Sequence, residues 1–149
     1  MRRSQWVGVV GFTLTTLVVL VITLSPNRVD EGRMPEIIRF LTFWHNHGLP
    51  SWFRYKQLEF SANIVMTIPL GLFARMALSK PKRRIAFIAL PTMAAVVELS
   101  QALFLADRVA SIWDVLANSL GAWIGLLIAI YADAECDRRQ RAWSRQRAE

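Results

Sequence analysis

The sequence predicts an all-α polytopic membrane protein, with four transmembrane helices and an amphipathic helix lying on the outer interface. Three observations lead there. Of 149 residues, 54% are hydrophobic and mean hydropathy is +0.30, which is high for a soluble domain. Four apolar runs, at residues 6–24, 60–78, 85–105 and 112–131, are each long enough to cross a hydrocarbon core. The basic residues sort to alternate sides of those runs. The lone cysteine, Cys136, excludes an intramolecular disulfide framework and any zinc site built on several cysteines, and it has no neighbours that suggest reactivity. The chain reads as a single membrane domain over residues 1–149.

The first span, Trp6 to Leu24, holds no charged residue and as a helix reaches about 30 Å, the thickness of the hydrocarbon core. The basic start at Arg2 and Arg3 also suits a signal peptide, but the apolar run is long and Ser25-Pro26-Asn27 is no small-residue cleavage site. The other three spans each carry very few charges. Of the Lys and Arg residues, eleven fall in the N-terminus, the second connection and the tail: Arg2, Arg3, Lys80, Lys82, Arg83, Arg84, Arg138, Arg139, Arg141, Arg145 and Arg147. The remaining connections hold six: Arg28, Arg33, Arg39, Arg54, Lys56 and Arg108. Both termini are therefore expected in the cytoplasm, as an even number of crossings requires, and the cell membrane is the expected location. Arg75, near the basic end of the second span, is expected to snorkel to that side.

Residues 132–149 read as a basic cytoplasmic tail that touches anionic lipid heads. Nucleic-acid binding is not expected, because no recognition module accompanies the arginines and the tail is too short to form a core. The outer loop, residues 25–59, is likewise too short for a globular domain. Met34, Ile37, Ile38, Leu41 and Trp44 recur at helical spacing, Pro35 suits a first turn, and Gly48 suits a stop. That pattern predicts the interfacial helix, with Trp44, Trp52, Phe53 and Tyr55 at headgroup level. His45 and His47 stand two apart on different helix faces and no third ligand is identifiable nearby, so neither a metal nor another cofactor is expected.

Polar groups inside the spans point to a site, because each costs a few kcal/mol in hydrocarbon unless it is paired, hydrated or turned into the bundle. Glu59 and Asn63 are four apart, Glu98 and Gln101 three apart, and Asp114 and Asn118 four apart, so each pair shares one helix face. Apart from the boundary residue Glu59, the weakest member, these groups are all expected within about 10 Å of the outer boundary. Arg108, in the short outer connection between the helices bearing Glu98 and Asp114, is the expected counter-charge. An acidic, amide-rich pocket open to the outer leaflet follows, with Asn63, Glu98, Gln101, Arg108, Asp114 and Asn118 as its ligand-binding residues. The bland alternative is a buried ion cluster that fixes helix register. Gly121 and Gly125 continue the Asp114 and Asn118 stripe and read as a helix-packing face inside the chain rather than a dimer interface. Pro69, Gly71 and Pro91 are expected to kink their helices and free backbone carbonyls near mid-membrane.

The segments E-L-S-Q (Glu98 to Gln101) and R-V-A-S-I-W-D-V-L-A-N-S-L-G (Arg108 to Gly121) resemble the signature of VanZ-like membrane proteins, with spacing E-x2-Q-x6-R-x5-D-x3-N-x2-G. L-E-F-S-A-N-I-V-M-T-I-P-L-G (Leu58 to Gly71) resembles the preceding helix of that family. The Asp-Lys and His-Phe that many members carry are absent, and the outer loop instead reads W-H-N-H-G-L-P-S-W-F-R-Y. The resemblance implies a bacterial envelope protein whose name-giving relative is associated with resistance to the glycopeptide teicoplanin. Three activities follow as expectations. The first is binding of a polar envelope component, such as a lipid-linked glycan or a lipoglycopeptide. The second is enzymatic action on a lipid headgroup, with Glu98 and Asp114 as candidate acid and base. Against it, no nucleophile constellation, metal cluster or phosphate cradle is legible, and an established catalytic activity is not expected. The third is a small transporter, which the confinement of the strong polar groups to the outer half and the lack of an inverted repeat disfavour.

Overall fold

In a computed structural model, residues 3–25, 32–79, 82–105 and 111–147 are described. They form five helices: α1 (Arg3–Thr23), α2 (Met34–Asn46), α3 (Tyr55–Ala77), α4 (Arg83–Phe104) and α5 (Ile112–Gln146). All except α2 are long and apolar enough to cross a membrane, which gives the all-α polytopic fold expected from the sequence. Large apolar side chains such as Val21, Val65, Ile88 and Leu103 lie on the outside of the bundle. That inversion of the soluble pattern is stable where hydrocarbon is the solvent.

The bundle is built on α3 and α5. Their contacts advance together along both chains, Ile64 against Gly121, Ile68 against Gly125 and Leu126 against Gly71, so the two helices run parallel. At each of these glycines a Cβ would run into the backbone of the facing helix, and the small-residue stripe read from the sequence therefore packs within the chain. α1 packs antiparallel against α3, with Gly8 against the backbone of Met76 and Ala77. The other flank of α5 holds α4, also antiparallel, and a small core of Ala74, Ala86, Leu90, Ala122 and Leu126 joins the helices.

Local signals explain the ends. The helix of the second span starts before the apolar run, at Tyr55, because the Gln57 side chain turns back to accept the Arg54 backbone N–H at 3.0 Å. Ser111 caps α5, its hydroxyl accepting the Asp114 N–H at 3.3 Å. Gly48, at φ 99°, ends α2 in a Schellman motif: its N–H donates to the His45 carbonyl and the Leu49 N–H to that of Trp44. His45 Nε2 donates to the Phe53 carbonyl at 2.9 Å and holds the loop that follows, while the His47 ring donates to the Phe43 carbonyl.

α5 continues through the basic tail to Gln146, and its 35 residues reach about 50 Å, well past a bilayer core. An i,i+4 pair, Glu135 with Arg139, and the Arg147 guanidinium 3.7 Å from the Trp143 ring support the extension. Arg75 is buried, 7% exposed, and reaches toward the basic end of its span, where it pairs with Asp133 of α5 and donates to the Leu78 carbonyl. The carbonyl expected to be freed by Pro91 is that of Phe87, four residues earlier, and it accepts the Trp123 indole N–H at 3.0 Å.

Two predictions follow from this packing. Trp123→Phe strands the Phe87 carbonyl and is expected to cost about 1–3 kcal/mol, and adding Pro91→Ala, which restores the helix's own donor, is expected to recover most of it. Thermal unfolding of the single and double variants in detergent checks this, and equal losses in both would remove the role given to the indole. Gly125→Leu is expected to lose about 3 kcal/mol or more because backbone blocks its side chain, whereas Gly11→Ala meets only the Phe73 ring and should lose less in the same assay.

Candidate functional site

The parallel α3/α5 pair brings two helix N-termini to one end of the bundle, and the antiparallel flanks add the C-termini of α1 and α4 there. A cavity of about 550 Å³ opens at that end. Every helix contributes to its lining: Ile22 and Thr23 from α1, Glu36, Ile37 and Phe40 from α2, and Tyr55, Leu58, Glu59, Ala62, Asn63 and Met66 from α3. Val97, Glu98 and Gln101 come from α4, Asp114 and Asn118 from α5, and Arg33 from the residue just before α2.

Three inter-helix hydrogen bonds hold the polar floor. Asn63 Nδ2 donates to Asp114 Oδ1 at 3.0 Å and ties α3 to α5 one turn beyond the cap. The Ser111 backbone N–H donates to Glu98 Oε1 at 2.6 Å and fixes α4 against the start of α5. Gln101 Nε2 donates to the Thr23 carbonyl at 2.6 Å, which occupies one of the orphan carbonyls at the end of α1. Glu98 and Gln101 are buried, at 7% and 5% exposure. Asn118 Oδ1 is also buried and accepts no hydrogen bond from the described residues. Thr67, one turn below Asn63, returns its hydroxyl to the Asn63 and Ile64 carbonyls and so leaves the floor to the amides and carboxylates.

The structure thus brings Glu59, Asn63, Glu98, Gln101, Asp114 and Asn118 to one cavity, with Glu59 as fully a wall residue as the rest. Arg108 lies outside the described residues. Gly121 and Gly125 do not line the cavity and sit below it in the α3/α5 contact. The sequence reading missed the wall from α2. Arg33, Glu36, Ile37 and Phe40 recur at helical spacing, but Ile37 belongs to the apolar stripe assigned to the interface and the other three flank it, so nothing local marks this face as bordering a pocket. Tyr55 was read as a headgroup anchor and also borders the cavity.

Chemically the cavity is amphipathic. Its floor presents carboxylates and amides in fixed positions, and Ile22, Ile37, Phe40, Leu58, Met66 and Val97 supply apolar wall. Such a site suits a ligand with a polar head and an attached hydrocarbon. Gln101→Leu is expected to release the end of α1 at a cost of about 1 kcal/mol while the other helices keep their contacts. Hydrogen exchange would then rise at Leu20 to Leu24 ahead of the rest of the bundle, and uniform protection along α1 would overturn this assignment.

Compared with known proteins, the chain matches the family model described as VanZ/LLP1 over residues 10–133. The match takes in the whole of the cavity lining. No curated protein and no solved structure matches the chain.

Proposed function

We propose, for a chain that belongs to the VanZ/LLP1 family, that this multi-pass membrane protein binds a polar component of the cell envelope, a lipid-linked glycan or a lipoglycopeptide, in a pocket open to the outer leaflet. The observation that carries the reading is the cavity itself, with a carboxylate and amide floor under an apolar wall at one end of a membrane bundle. The basic residues concentrate toward the other end and in the tail, which supports cytoplasmic termini and a pocket on the outer side. Membrane lipids are then the surrounding partner and nucleic acid is not one. Arg108, six residues before Asp114 in the sequence, takes the part of counter-charge and ligand clamp.

A second reading, an enzyme acting on a lipid headgroup, is favoured by one feature. The Ser111 backbone N–H donates to the Glu98 carboxylate and the Ser111 hydroxyl accepts the Asp114 backbone N–H, so the two acid-bearing residues meet at one helix cap, as an acid and base pair sharing a site would. Turnover of labelled polyprenyl-linked or phospholipid substrate by purified protein, abolished in Glu98→Gln, would favour this reading over binding alone.

The binding reading predicts an envelope phenotype. In a deletion strain, wild type is expected to restore growth under teicoplanin and related lipoglycopeptides, while Glu98→Gln, Arg108→Ala, Asp114→Asn and Asn118→Ala fail to restore it at equal membrane levels. Full restoration by all four would make the polar cluster a device for helix register and nothing more.

A further inference from the structure

The deepest amide of the cavity has no partner in the protein. Asn118 lies one turn below Asp114 on the same face of α5 and one turn above Gly121, where the backbones of α3 and α5 touch and close the cavity. Its Oδ1 is buried and takes no hydrogen bond from the described residues, and its Nδ2 donates to none of them. A buried amide without partners is costly, so both of its ends call for a group brought in from outside. The two neighbouring amides set a similar requirement. Asn63 uses its Nδ2 on Asp114 and Gln101 its Nε2 on the Thr23 carbonyl, and among the described residues neither Asn63 Oδ1 nor Gln101 Oε1 receives a donor. Three neutral amide oxygens and one amide N–H are thus on offer. An ammonium only donates and leaves the Asn118 N–H unmet, while a phosphate only accepts and leaves the oxygens unmet. A hydroxyl does both, and several hydroxyls on one ring reach several amides at once.

Resting on the pocket being a ligand site, as proposed above, we infer that the group seated at its closed end is an uncharged polyol, a sugar ring, carried at the head of a hydrocarbon chain. Its hydroxyls exchange hydrogen bonds with the amides of Asn118, Asn63 and Gln101, and the chain runs along the wall of Ile37, Phe40 and Met66. At about 550 Å³ the cavity takes the head and the first part of the chain together. The apolar wall covers chain surface that water would otherwise meet, which is what separates a sugar borne on a lipid from a free one.

The test uses the full chain in phosphatidylcholine nanodiscs, with empty discs as the blank. The probes in calorimetric titration are octyl glucoside, its per-O-methyl ether, octylamine and octyl phosphate, each below its micelle-forming concentration. Octyl glucoside is expected to bind at least about tenfold more tightly than the other three, and at least about tenfold more tightly than free glucose, which lacks the chain. Asn118→Leu, close in shape and without polar atoms, is expected to erase the preference for the glucoside over its ether. Its melting temperature is expected to match or exceed that of wild type, because the amide it removes bonds to no described residue. A preference that survives this variant comes from bulk and overturns the assignment. Asn118→Asp, which loses the N–H and gains a charge, is expected to turn the preference toward octylamine, a gain that no loss of folding produces. If octylamine or octyl phosphate binds wild type as tightly as octyl glucoside, the polyol assignment is wrong and the pocket remains a ligand site of another kind. Glucose binding as tightly as the glucoside would overturn the part given to the hydrocarbon chain. Absence of binding by every probe overturns both this inference and the reading it rests on.

Discussion

The close parallel approach of α3 and α5 is the contact on which the rest of the structure depends. With glycine at positions 71, 121 and 125, backbone meets backbone, and any Cβ there would hold the helices apart. Because the pair is parallel, both of its N-termini arrive at one end and both of its C-terminal halves continue together to the other. At the first end the register sets Asn63 beside Asp114, and at the second it sets Arg75 beside Asp133. α1 docks on α3 and α4 on α5, and the two meet where Gln101 donates to the Thr23 carbonyl, so their C-termini close the ring around the cavity.

A bilayer gives polar groups no water to fall back on, and the bundle answers that constraint group by group. Thr67 bonds to its own helix, the Phe87 carbonyl that Pro91 cannot serve is met by Trp123, and Arg75 is met by Asp133 and the Leu78 carbonyl. In the cavity lining, Asn118 Oδ1 is buried and takes no hydrogen bond from the described residues.

Much of the architecture was legible in the chain. The four spans, the interfacial helix and the inward role of Gly121 and Gly125 rest on periodicity and length, which are local properties and survive whatever the neighbours do. The start of α3 at Tyr55 was less visible because Lys56, Gln57 and Glu59 interrupt the apolar run, although capping by Gln57 carries the helix through them. The tail's helix was overlooked for a similar reason: a search for spans stops where charge begins, while helix propagation needs only backbone bonds and compatible pairs such as Glu135 with Arg139.

The polar pairs on α3, α4 and α5 could be placed on their own helix faces from spacing alone, because a turn of helix brings residues three or four apart onto one side in any context. Their convergence on one level followed from counting residues to the boundary. Which hydrogen bond each would make did not, since Ser111 meeting Glu98 and Thr23 meeting Gln101 depend on rotations and depths of helices set by packing elsewhere. The same holds for Arg75, whose pairing with Asp133 turns on the α3/α5 register. The wall from α2 belongs wholly to the tertiary structure: an amphipathic pattern fixes that a helix has two faces, but only the arrangement of its neighbours decides which one borders lipid and which one borders the cavity.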